Sequence, residues 1–215
     1  MKPDTKSTQK LLRTIPTVSL LLVALVVTGT VLTSNKTHYQ ARYIAIAAPP
    51  ENQDSIESVK AFMNVYKVLM SPRCMNCHPS GDIPLQGDDS HVHTMSPQRG
   101  QDGKGVFAMK CANCHQPENT PGLHTPPGNP NWHLPPANMR MVFQGKTAHQ
   151  LARQLVDPKQ NGHKDMEKLL EHAHDGLVKA GWNPGEGRTL PPLTHEEFVK
   201  AWTTWLKKGA YAPAP

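Results

Sequence analysis

The sequence predicts a mostly α chain whose helices are joined by long irregular segments rich in Pro and Gly. Three observations predict it. Apolar residues recur at helical period in four separated runs. Alternating strand patterns are nearly absent. Pro supplies 21 and Gly 15 of the 215 residues, while apolar residues make up only 37%. A chain so loop-rich and so modestly apolar leans on a bound cofactor or metal for stability.

In chain order, residues 1–14 form a basic tail carrying Lys2, Lys6, Lys10 and Arg13 against Asp4. Ile15 to Leu32 holds no charged residue. As a helix this stretch spans about 27 Å, close to the hydrocarbon thickness of a bilayer. Its basic flank lies on the N-terminal side, so that end is expected in the cytoplasm and everything after Leu32 outside it. An uncleaved anchor is the preferred reading. The nearest small-residue cleavage pattern, Ala45-Ile46-Ala47, stands too far beyond the apolar core for an ordinary signal peptide.

Residues 33–54 read as a linker, residues 55–210 as one domain and residues 211–215 as a tail. A first helix is expected from Ser55 to Met70, with Asp54 and Glu57 at capping-box spacing. Val59, Phe62, Tyr66 and Leu69 recur along it at helical period. Pro79 to Lys104 shows no period, and neither does Asn119 to Asn138. Loops this long in a compact domain wrap something or serve a site. Thr147 with Gln150 makes a capping box for a helix carrying Leu151 and Leu155 that stops at Pro158. A further helix is expected over Asp165 to Ala180, with Met166, Leu169, Leu170, Ala173 and Leu177 on one side. Thr194 with Glu197 opens the last, carrying Phe198, Ala201, Trp202, Trp205 and Leu206. Lys207, Lys208 and Gly209 end it in the order a helix C-terminus favours.

The net charge of +6 is spread without a basic run or an aromatic–basic interleave. Nucleic acid is therefore not an expected partner.

All four cysteines fall in two copies of one pattern, Cys74-Met-Asn-Cys77-His78 and Cys111-Ala-Asn-Cys114-His115. Cys-x-x-Cys-His is the attachment signature of c-type haem. A helical turn brings both sulfurs of a pair to the two vinyl groups of one porphyrin, and the next residue, histidine, faces the iron. The expectation is two covalent haems, held by Cys74, Cys77, Cys111 and Cys114, with His78 and His115 as proximal iron ligands. A zinc site accounts for four cysteines but not for a histidine after each pair. Ordinary disulfides fail in the same way. A thioredoxin-like redox pair needs a βαβ setting that is missing.

The sixth iron position decides the chemistry. His93 and His91 lie between the two motifs and are the candidates for the first haem. His133 is the preferred candidate for the second, with Met139 next and Met141 behind it. His172 and His174 read as solvated helix residues, and His195 as a first-turn helix residue. Trp202 and Trp205, at i and i+3, read as core; Trp132 and Trp182 either as core or as haem contacts. Arg99 and Arg188 are candidate partners for haem propionates, or else surface residues.

The two motifs, the strings DDSHVHTM, PPGNPNWHLPPANM and DPKQNG, and the closing THEEFVKAWTTWLKKGA together resemble a family of small bacterial dihaem c cytochromes. These are often labelled subunits or relatives of isoquinoline 1-oxidoreductase. The likeness spans residues 55 to 210. It implies cytochrome c-like, haem-wrapping helices and a role as electron acceptor for a molybdenum hydroxylase. That substrate is not carried over, because nothing in the chain resembles a molybdopterin-binding enzyme. Family members end in Gly-Ala-x-Cys-Pro, whereas this chain has Gly209-Ala210-Tyr211-Ala212-Pro213 and lacks that cysteine.

The expectation is a dihaem c-type cytochrome that carries electrons and is not itself an enzyme. It is tethered to a bacterial inner membrane with its domain in the periplasm, or is soluble there after cleavage. Its partners are a dehydrogenase or quinol-oxidising donor and an oxidase or soluble cytochrome acceptor. The alternative is a dihaem peroxidase with one open iron, which is built from longer chains than this one. A haem-based sensor and a structural zinc protein rank behind both.

Overall fold

The strongest local signals become the helices that carry the core. In the computed structural model, which describes residues 52–215, α1 runs Gln53–Leu69 and α6 runs His195–Lys207. The α6 face is the one its period marked, while α1 buries Ala61, Phe62, Val65, Val68 and Leu69 and leaves the expected Val59 and Tyr66 half-buried. Phe62 meets Trp205 at 4.7 Å between ring centres, and both are fully enclosed. Trp202 and Trp205 are core, as their spacing predicts. Each satisfies its indole N–H on a backbone carbonyl, Leu169 at 2.7 Å and Tyr211 at 3.1 Å. The buried Ser58 hydroxyl donates to the Trp205 carbonyl at 2.9 Å and so pins α1 to α6.

The N-terminus of α1 differs from expectation. Asn52 is its cap and accepts from the Asp54 backbone N–H at 3.2 Å. Asp54 and Glu57 instead meet Lys208 across the helix pair, at 2.7 and 3.2 Å. Both other capping boxes form in full. Thr147 and Gln150 exchange hydrogen bonds at the start of α3 (Ala148–Val156), and Thr194 and Glu197 do so at α6.

The helix expected over Asp165 to Ala180 is broken. α4 covers Met166–His172 and α5 covers Gly176–Lys179, followed by a 3-10 turn at Ala180–Trp182. The break follows from Asp175, whose carboxylate turns back onto the His172 ring, and from Gly176 directly after it. Only Leu169 of α4 is buried outright, so a short element suffices there.

Sheet is confined to two pairs of two-residue strands. β1 (Leu85–Gln86) pairs with β2 (His91–Val92), and β3 (Gly105–Val106) with β4 (Met109–Lys110), both antiparallel. The chain is thus helix-rich with little sheet among the described residues. A short α2 (Pro72–Met75) completes the set.

The long segments without period are held by backbone and side-chain ties instead. Arg99 is 1% exposed and donates to the Pro135 carbonyl at 2.6 Å and the Gly81 carbonyl at 3.0 Å. It is not a surface residue, and its Nε is buried without a hydrogen bond, 3.5 Å from the Asp82 carboxylate. Gly103 sits at φ +77°, and a Cβ there would overlap the Leu134 carbonyl. That close approach lets the Leu134 N–H reach the Gly103 carbonyl at 2.9 Å. No helix among the described residues is long and apolar enough to cross a membrane. The expected anchor at 15–32 lies outside the described residues.

Candidate functional site

The first motif begins where α1 ends. Ser71 is extended, and Pro72 starts α2 with the φ a first helical turn needs. The turn continues through the motif. The Cys77 N–H bonds the Cys74 carbonyl at 3.1 Å and the His78 N–H bonds the Met75 carbonyl at 3.0 Å. Residues three apart on such a turn lie on one face, so Cys74 and Cys77 point the same way. The second motif does this with less helix. A 3-10 turn covers Cys111–Asn113, and the Cys114 and His115 N–H groups both bond the Cys111 carbonyl, at 3.2 and 2.9 Å.

The four thiols are unbridged. Burial pushes Cys74 up to about 12 and Cys77 up to about 11, so both are neutral thiols. Cys111 is also raised by burial.

The two histidines share one arrangement. His78 donates Nδ1–H to the Met141 carbonyl at 2.7 Å, and its ring stacks on Phe143 at 3.9 Å and 9°. His115 donates Nδ1–H to the Pro127 carbonyl at 2.8 Å, and its ring stacks on Trp132 at 4.1 Å and 7°. A carbonyl on Nδ1 fixes the tautomer and leaves Nε2 with a free lone pair, while the stacked ring fixes the plane. Burial pulls both pKa values down, that of His78 to about 4. Each ring is therefore a neutral, oriented donor near pH 7, the state a metal-ligating imidazole requires.

The carbonyls are placed at some cost. Met141 has φ +44°, unusual for a residue with a side chain, and that turn delivers its carbonyl to His78. At the second motif the close approach is Gly128, next to Pro127, where a Cβ would overlap the Glu118 backbone.

The expected sixth ligands separate in space. His93 lies beside the second motif, with ring centres 6.4 Å from His115 and planes 67° apart. It was expected to serve the first motif and stands beside the second. His91 is exposed, its Nδ1 donating to Asp89 at 2.6 Å. His133 turns Nδ1 back onto the Asn131 carbonyl at 2.5 Å within its own loop. Met139 lies by Gly162. The Met141 sulfur accepts from Gln154 at 3.1 Å.

His172 was read as a solvated helix residue, and its side chain is 41% exposed. At the end of α4 its Nδ1 donates to Asp175 at 2.5 Å, leaving Nε2 free. Its charge lies close enough to depress the His78 pKa further, after burial. An Asp three residues on from a helix-terminal His was the one signal available. His174 and His195 instead face each other at 6.1 Å.

Neither arginine behaves as a free surface residue. Arg188 donates to the Pro184 and Thr125 carbonyls at 3.1 and 2.7 Å. Arg73, inside the first motif's turn, has a side chain only 7% exposed and bonds Asp88 at 2.6 Å, while its Nε is buried without a partner. A buried guanidinium nitrogen lacking an acceptor, next to two thiols and a donor imidazole, suits a group bearing carboxylates. The residues present therefore fit a haem.

No family model matches the sequence, nor does any curated protein or solved structure.

Proposed function

We propose that the chain is a dihaem c-type cytochrome, with cytochrome c-like helices around the first haem, that carries electrons outside the cytosol. One observation carries the reading: two Cys-x-x-Cys-His motifs each present a histidine with Nδ1 bound to a backbone carbonyl and a ring clamped by an aromatic neighbour. Two unrelated stretches of chain converge on the same treatment of the same residue. Disulfide chemistry gives no reason for that, and zinc gives none for a histidine placed directly after each Cys-x-x-Cys pair.

Cys74 and Cys77 would hold one haem and Cys111 and Cys114 the other, with His78 and His115 as proximal ligands. Each haem supplies a one-electron iron couple when bound. The protein's own residues do the rest. Met141 and Pro127 carbonyls hold the imidazoles as neutral donors and add electron density to them, which favours the oxidised iron. Phe143 and Trp132 exclude water from one side of each ring. With two haems on one short chain, an electron entering at one would pass to the other. Donor and acceptor are redox proteins: a dehydrogenase or quinol-oxidising complex on one side, an oxidase or soluble cytochrome on the other. The N-terminal apolar segment tethers the domain to the outer face of a bacterial inner membrane. The likeness to dihaem c cytochromes supports the same reading.

The test is expression in a host with c-type maturation machinery. Intact mass is expected to show the chain plus two porphyrins, and a pyridine haemochrome assay to show two thioether-linked haems. Cys77→Ser and Cys114→Ser are each expected to disrupt one attachment. A mass without porphyrin, or one unchanged by these variants, overturns the reading.

A further inference from the structure

We propose that His93 is the sixth ligand of the second iron, opposite His115, and that this iron is closed to outside ligands. The inference rests on the two-haem reading and adds the identity of the axial pair.

The spacing carries it. Two imidazoles on opposite sides of one metal, with bonds of about 2.0 Å and about 1.1 Å from nitrogen to ring centre, have centres about 6.2 Å apart. His93 and His115 stand at 6.4 Å. With nitrogens turned toward a common metal, that spacing would put them about 4 Å apart, too far for a hydrogen bond at about 3 Å and right for one intervening metal atom. His115 already gives Nδ1–H to Pro127, so its remaining nitrogen is the free donor.

His93 is also left needing a partner. Its Nδ1 is buried and makes no hydrogen bond among the described residues. The rings recorded against His115 are those of Trp132 and His93, not those of His91 or His133. His93 thus combines a ring close to His115 with an unpartnered buried Nδ1.

The backbone around it is built to hold the ring. The His93 N–H bonds the Pro84 carbonyl at 3.0 Å, and its own carbonyl receives the Ser96 N–H at 2.8 Å. Gln86 of β1 accepts the Thr94 N–H at 3.1 Å. The β1–β2 hairpin, not a swinging loop, therefore presents the ligand. A histidine in that place fills the site a peroxide or carbon monoxide would need.

The test uses the full haem-loaded chain and its His93→Ala and His93→Met variants. Electron paramagnetic resonance, carbon monoxide uptake and intact mass are read together. In the wild type the second haem is expected low-spin and inert to carbon monoxide. Its signal is expected to be strongly anisotropic, because the ligand planes are 67° apart. His93→Ala is expected to keep two haems by mass, turn one of them high-spin, and gain about one equivalent of carbon monoxide binding; added imidazole restores the low-spin signal. His93→Met, which keeps a ligating side chain should the alanine variant not mature, is expected to raise the potential of one haem. A Cys111→Ser/Cys114→Ser chain, retaining only the first haem, assigns the signals. Two loaded haems whose spectra and potentials ignore both substitutions overturn the assignment. Absence of haem by mass overturns the two-haem reading instead.

Discussion

The two Cys-x-x-Cys-His motifs are alike in sequence and differ in what holds them. The first grows out of α1, and Cys74 packs against the main hydrophobic cluster that α1 shares with α3, α4 and α6. Its histidine is half-buried, with a pKa pulled down by desolvation to about 4. The second sits on a 3-10 turn, Cys114 is exposed, and its surroundings are loops tied by carbonyl hydrogen bonds. A donor histidine can thus be oriented equally well by a helical core or by a stapled loop, provided a carbonyl and an aromatic ring meet it. The consequences for stability are unequal, because only the first motif shares its support with the bulk of the apolar burial.

That difference can be broken from either side. Trp205→Ala removes the largest enclosed side chain from the α1–α6 contact. It is expected to lower the stability of the loaded protein by about 3–5 kcal/mol, read by denaturant titration of far-ultraviolet circular dichroism. Arg99→Ala is expected to cost about 2–3 kcal/mol by leaving two carbonyl acceptors unmatched. Its effect should be local: hydrogen exchange rises at Gly105, Leu134 and Ala137 while α1 and α6 stay protected. Equal deprotection of the helices would erase the contrast between the two regions.

His172 sharpens the comparison at the first haem. His172→Ala is expected to change the resonance spectrum of the haem on Cys74 and Cys77 and leave that on Cys111 and Cys114 unaltered. Spectra assigned with single-haem chains check it. The smallest effect belongs to Glu197, whose pKa is held below 4.5 by the Thr194 N–H and then by its hydroxyl. A depressed carboxyl stabilises fully above its unfolded value and loses that contribution as pH falls through the folded one. Glu197→Gln is therefore expected to lower the melting temperature slightly near pH 7, with the gap to wild type closing below about pH 4.5. A gap that persists at low pH would rule out charge at the cap as its source.

Much of the helical frame was legible because its signals are local. The boxes Thr147/Gln150 and Thr194/Glu197 act within one turn, and the Trp202–Trp205 spacing marks a buried face without reference to any partner. The Asn52 cap was missed because Asp54 and Glu57 offered the same spacing, and Lys208, 154 residues on from Asp54, draws them away. The break in the third expected helix was missed because Asp175 bonds His172 in preference to continuing the turn. The carbonyls of Met141 and Pro127 had no signature at all, since every residue carries one.

By itself the sequence determined where helices nucleate, which faces they bury, and that two identical triplets of cysteine and histidine are held within single turns. Those are matters of spacing along the chain. Only the tertiary structure decided which histidine meets which motif, placing His93 by His115. Orienting an imidazole depends on how loops close and where a carbonyl points across them, and neither is written in the order of residue types.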